Sequence, residues 1–260
     1  MGWHRVLFLD DDITGVDPAD VDRASSLLST FNAVGFHVSG FPDNSVVCHA
    51  YRDAGGLQKS FIGGGALAVQ LQRCNSFFPG IYNDDWFFLL DDDESLQPTA
   101  VTGEVVQYPY DPFHSPDRAR TEEFGDVLAE GVYWLLDQDQ TVADAGPEFW
   151  ARYLIIRRRF IEDILVMVQG SNISESEKSR RSAALKGSLG RLAQITAELC
   201  SDYLQAWIAD RKAWSHHVDS LPIALHLGPA VEALSRQGAP KLSWCVAGGG
   251  ARTGGLAGPL

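Results

Sequence analysis

No stretch of this 260-residue chain stays apolar for the ~20 residues that a membrane-spanning helix requires. Nor does the start carry the apolar core of a signal peptide, because the run after Arg5 ends at Leu9 before three aspartates. Cysteine is scarce and unpatterned. Cys48, Cys74, Cys200 and Cys245 form no CxxC pair and no Cys/His cluster with zinc spacing, which excludes a zinc-stapled domain and leaves four reduced thiols. These absences together predict a cytoplasmic protein with no integral membrane segment. Basic charge is thin in residues 1–150, where 7 Lys and Arg face 25 Asp and Glu, a balance of −18. Such a surface repels phosphates and excludes nucleic acid as its partner. Residues 151–260 carry 14 basic against 9 acidic side chains. This mildly basic half is a candidate for peripheral membrane or protein contact.

What is present is ample apolar material: 45% of the chain, with seven Trp and thirteen Phe, enough for a sizeable core. Residues 5–9 form a short continuous apolar run, the pattern of a buried strand. Residues 17–34 read as a helix, with Asp17 as cap, Pro18 in the first turn, and Val21, Ala24, Leu27, Leu28 and Phe31 at helical spacing. Strands are expected at 36–39, between Gly35 and Gly40, at Val46–His49 and at Ala66–Val69, with a loop over 52–60. A helix begins within Tyr82–Leu90, and Val101–Tyr108 reads as an edge strand. Beyond Pro116 the periodicity becomes helical, over Asp117–Asp137, Pro147–Gln169 and 175–218, the last as one long helix or two. The expected organisation is an α/β part over 1–115, a helical region over 116–246 and a glycine-rich disordered tail over 247–260.

The chemistry is concentrated at two acidic edges. Val6-Leu7-Phe8-Leu9 runs straight into Asp10-Asp11-Asp12, so a buried strand ends on three adjacent carboxylates. A divalent cation relieves that crowding, and hard oxygen ligands suit Mg²⁺ or Mn²⁺. The second edge is Asn83-Asp84-Asp85-Trp86. Two carboxylate sites on one α/β scaffold point to an enzyme that sets a metal-bound phosphate opposite a general base.

Between these edges lies Phe61-Ile62-Gly63-Gly64-Gly65-Ala66-Leu67-Ala68-Val69, and Phe77-Phe78-Pro79-Gly80-Ile81-Tyr82 leads into the second. This order over roughly residues 5–115 resembles the GT-A fold glycosyltransferases of the family 2 type. The resemblance implies a partial GT-A-like mixed sheet and metal-assisted transfer of a sugar from a nucleotide-sugar donor to a hydroxyl acceptor. It implies that Asp10, Asp11 and Asp12 form the metal and nucleotide edge, with Asp10 and Asp12 on the cation. Gly63, Gly64 and Gly65 would line the acceptor pocket, where absent side chains admit the sugar. Asp85 would be the base that deprotonates the acceptor, with Asp84 the second candidate and Trp86 beside it for stacking on a sugar ring. His114 matches a further metal ligand found in some members. Only nine residues precede Asp10, where the family places a nucleotide-binding half of about 100 residues, so the resemblance implies an N-terminally truncated transferase with weakened nucleotide affinity.

Two other readings compete. Asp10-Asp11-Asp12-Ile13-Thr14 also fits the Asp-x-Asp-x-Thr pattern of haloacid-dehalogenase-like phosphatases, with Asp10 as nucleophile, Asp12 as acid/base, and Lys59 and Asp84-Asp85 as the later motifs. A non-catalytic binding module derived from a transferase is the third. For the remaining motifs the plain readings are a turn histidine at His114, a solvated acidic run at Asp91–Glu94 and a helix-end pair at His216-His217. Arg157-Arg158-Arg159 reads as a solvated face paired with Glu162 and Asp163, with attraction of a phosphorylated acceptor or an anionic membrane as the functional alternative.

Overall fold

The computed structural model describes residues 4–40, 45–57, 62–74, 76–91, 95–220, 244–246 and 249–252. His4–Asp219 forms one compact unit, and a second unit holds a two-stranded ladder of β6 (Trp244–Val246) and β7 (Gly249–Arg252). Residues 249–252 of the glycine-rich segment expected to be disordered are thus paired backbone, while 247–248 and 253–260 lie outside the described residues.

The main unit is mixed α/β. Its sheet runs in the order β1 (Arg5–Leu9), β4 (Ala66–Gln70), β3 (Ala33–Gly40), β5 (Thr99–Gln107), β2 (Ile13–Thr14). Neighbours are antiparallel except β3 and β5, which are parallel. Strand alternation divides the core. On one face Leu7, Ala66 and Ala68 pack with Val34, Phe36 and Val105 against α1 (Pro18–Leu27). On the other, Val6, Phe8, Leu67 and Val69 meet Phe88 and Leu89 at α3 (Asp84–Phe88).

The third and largest core belongs to the helices α4 (Pro116–Leu136), α5 (Pro147–Gly170), α6 (Glu175–Leu192) and α7 (Ala197–Ser220), joined by α2 (Val46–Asp53). Val46, Val47, Ala50, Phe87 and Leu90 from the first 115 residues are members of it. Ser115 caps α4, and the layers before and after it share that core.

Five local expectations need correction. The apolar run at 5–9, expected as a buried strand, forms β1 at the sheet edge, where β4 is its one neighbour in the sheet and its residues are half-buried or exposed. The helix expected over 17–34 stops at Leu27, because Ala33, Val34 and Gly35 pair with β4 and tertiary pairing outweighs helical spacing. The Val46–His49 strand is instead the first turn of α2. Ser45 caps that helix by accepting from the Cys48 N–H at 3.3 Å, and Glu122 accepts from the Val46 N–H at 2.8 Å. A carboxylate at the helix N-terminus offsets the helical reluctance of two valines. The polar stretch expected as loop from residue 52 is still helix through Asp53. The 101–108 strand lies between β3 and β2 rather than at the sheet edge, although β2 covers only Val106 and Gln107. The 175–218 segment resolves into two helices, with Thr196 Oγ1 capping the second through the Leu199 N–H at 3.1 Å.

Candidate active site

Strand β1 delivers Asp10 and Asp11 to an exposed position, with Asp12 half-buried. The Asp10 N–H donates to the Gly65 carbonyl at 3.0 Å, which continues the β1–β4 ladder past Leu9. A Cβ on Gly65 would sit 3.2 Å from Asp10 Oδ2, so the glycine runs directly beneath that carboxylate. Asp12 points the other way along the edge: its Oδ2 accepts from Gln107 Nε2 at 3.0 Å, and its carbonyl accepts from the Tyr108 N–H.

Helix α3 brings the second pair. Asp84 and Asp85 open it, while Phe87 and Phe88 anchor it below, edge-on to Trp207 and stacked at 4.2 Å on Phe78. Asp85 Oδ2 accepts from the Gly64 N–H at 2.7 Å, and Oδ1 accepts from the Trp86 N–H at 3.0 Å. Burial pushes the Asp85 carboxyl up to about 6, against the pull of the Gly64 hydrogen bond and with a further push from Asp84. Burial also raises Asp84, its backbone hydrogen bonds oppose this, and the negative charge of Asp10 adds to the rise. The fold brings Asp10, Gly63–Gly65, Asp84 and Asp85 to one place from opposite ends of the first 85 residues.

The close approach at Gly64 has a direct consequence. A Cβ there would lie 2.8 Å from Asp85 Cβ, so Gly64→Ala must displace the carboxylate. We expect the 2.7 Å bond to be lost, with stability falling by about 1–3 kcal/mol as for other overpacking changes. Thermal unfolding and the amide spectrum of residue 64 check this, and an unshifted spectrum would contradict it.

The other sequence candidates lie elsewhere. Trp86 packs on Tyr133, ring centroids 4.7 Å apart, and against the helical core, which is the packing role. His114 is exposed in the turn that its N–H closes on the Asp111 carbonyl, and the contacts found for it stay in that turn. His216 and His217 are exposed in the last turn of α7. The Asp91 carbonyl accepts from Arg211 Nη1 at 2.6 Å, while 92–94 and Lys59 lie outside the described residues.

Among the described residues, no three His, Cys, Asp or Glu side chains converge as a ready-made metal cage. Mg²⁺ sites commonly use one or two carboxylates and take their other oxygens from substrate phosphate and water. The exposed Asp10 carboxylate fits that kind of partial site.

Arg157 overturns the sequence reading of the triple-arginine run. Arg158 and Arg159 are exposed, but Arg157 is 1% exposed and reaches into α4. Its Nε and Nη2 donate to Glu123 at 3.0 Å each, Nη2 also to Asp126 at 2.7 Å, and Nη1 to Glu130 at 2.6 Å. It can serve neither a phosphorylated acceptor nor a membrane, and it is not paired with Glu162 or Asp163. The missed signal was spacing. Arg157 lies four residues from both Tyr153 and Ile161 on the apolar stripe of α5, and Glu123, Asp126 and Glu130 recur at three and four along α4.

The phosphatase reading gains nothing from this geometry. Alternating strands and helices would produce a parallel sheet, whereas β1, which carries Asp10, pairs antiparallel with β4. Comparison of the chain with protein-family models, curated proteins and solved structures finds no match.

Proposed function

We propose that this chain is a metal-dependent glycosyltransferase of the GT-A, family 2-like kind, moving a sugar from a nucleotide-sugar donor to a hydroxyl acceptor. One observation carries the reading. A carboxylate raised to about 6 and held by the Gly64 N–H lies across a glycine segment from the exposed acidic end of a strand. A group with that affinity for protons is ionised at neutral pH and still basic enough to take a proton from a hydroxyl.

Asp85 is the base in this reading. It takes the acceptor's proton as the acceptor oxygen bonds to the anomeric carbon and the bond from that carbon to the diphosphate breaks. The leaving nucleoside diphosphate carries away the electron pair, and single displacement inverts the anomeric centre. Gly64 and Gly65 let the segment run close against Asp85 and Asp10, and the Gly64 N–H keeps the Asp85 carboxylate oriented. Asp10 would hold Mg²⁺ or Mn²⁺, which when bound neutralises charge on the diphosphate, and Asp12 would join it on turning from its bond to Gln107. Asp84 adds negative charge beside Asp85.

Calorimetric titration with UDP and with GDP, each with and without Mn²⁺, tests the reading. Metal-dependent binding is expected, weakened about tenfold or more in Asp12→Asn by analogy with altered metal sites. Absence of binding with either nucleotide, or binding indifferent to both Mn²⁺ and Asp12, would remove its basis.

A further inference from the structure

Asn83 sets the direction of α3. Its backbone is left-handed, at φ 60° and ψ 36°, and its side chain makes no capping bond to the helix it precedes. Asparagine enters that region more readily than most residues but does not prefer it, so something else must hold it there. The side chain turns to α4, where Nδ2 donates to Asp126 Oδ1 at 2.9 Å. The second oxygen of Asp126 accepts from Arg157 at 2.7 Å, and Arg157 is itself locked by Glu123 and Glu130. Glu123 also accepts from Ser188 of α6.

Two further contacts from α4 bracket the same short segment. Gly125 lies so close to the Tyr82 carbonyl that a Cβ would overlap it. Tyr133 donates from its hydroxyl to the Trp86 carbonyl at 2.9 Å. The chain is thus held on both sides of Asp84 and Asp85, and the side-chain anchor on the near side is Asp126.

We infer that Asp126, fixed by Arg157, is a positioning residue for Asp85: it holds Asn83 in the left-handed turn that aims Asp85 at the Gly64 amide. The consequence for transfer rests on the glycosyltransferase reading; the positioning itself does not. Stability alone would be served as well by apolar side chains in this volume. A buried acceptor aimed at Asn83 does what those could not, because it fixes the orientation of a neighbouring turn.

The test uses the full chain as wild type, Asn83→Gly and Asp126→Ala. Glycine at 83 keeps the left-handed backbone accessible and removes only the anchor, so this variant is expected to fold. In wild type the Gly64 amide proton should resonate downfield because of its bond to Asp85. In both variants it should move upfield, and the transfer kcat should fall about 10- to 100-fold while the donor KM stays within about twofold. An Asn83→Gly protein with the wild-type Gly64 resonance and kcat overturns the inference, whether or not Asp126→Ala folds. Wild-type protein that transfers no sugar overturns the transferase reading instead, and the Gly64 resonance then decides the positioning role alone.

Discussion

Asp85→Asn should lower the transfer rate by about 10²–10⁴-fold, the range expected when a positioned base is removed, while donor binding stays intact. Asparagine keeps the size of the side chain and an oxygen for the Gly64 N–H, but it cannot take the acceptor's proton. In wild type, kcat/KM should rise with pH through about 6, as Asp85 loses its proton, and this acid limb should vanish in the variant. The same substitution should stabilise the protein above that pH. The folded-state value lies above the 3.8 of an unperturbed aspartate, so the folded form holds a proton that the unfolded form has released. Stability from this group is complete below 3.8 and is lost as pH rises through 6, by roughly 2–3 kcal/mol. Rates over pH 5–8 and urea unfolding at pH 8 measure both effects. Equal transfer by wild type and Asp85→Asn would eliminate the base assignment. Binding without transfer in wild type would favour the non-catalytic module.

Arg157→Leu should be the most destabilising single change in the helical layer. It leaves the buried Glu123 and Asp126 and the half-buried Glu130 without the cation that touches all three, a loss of about 3–5 kcal/mol near neutral pH. For a domain of this size that corresponds to a drop in Tm of roughly 10 °C. Arg158→Leu and Arg159→Leu, at exposed positions, should change stability by no more than about 0.5 kcal/mol.

One cation among three carboxylates also gives wild type a pH dependence. Burial pushes Glu130 up to about 7, with Arg157 opposing and Asp126 and Glu123 adding to the rise. Burial raises Glu123 and Asp126 too. The folded cluster therefore binds protons that the unfolded chain releases. Its contribution is complete below the unperturbed 4.5 of a glutamate and declines as pH rises through 7, on the order of 3 kcal/mol for Glu130. In Arg157→Leu that decline should steepen, because ionised carboxylates then lack any compensating charge, and acid should partly rescue the variant. Urea midpoints at pH 5.5 and pH 8 decide this. A variant as stable as wild type at pH 8 would show that the cluster is not held by its arginine.

Local pattern made much of this legible. The apolar run at 5–9 followed by Asp10, the Asp17-Pro18 helix start, and the helical periodicity beyond Pro116 are short-range signals, and each locates an observed element, although 5–9 forms a half-buried edge strand rather than a buried one. The two acidic edges stand out by residue type, while sequence separation alone measures no distance between them. Signals whose meaning depends on distant chain were lost. Val46-Val47 reads as strand until Ser45 and Glu122 are seen at its N-terminus, and residues 28–34 read as helix until β4 claims Ala33–Gly35.

The sequence by itself determined an acidic α/β half followed by helices, and which carboxylates stand at strand and helix ends, because charge, composition and periodicity are local properties. Only the tertiary structure decided that Asp85 meets the Gly64 amide and that Arg157 is an interior cation rather than a surface one. Desolvation and hydrogen-bond direction set those roles, and both depend on which atoms the folded chain places within about 3 Å of one another.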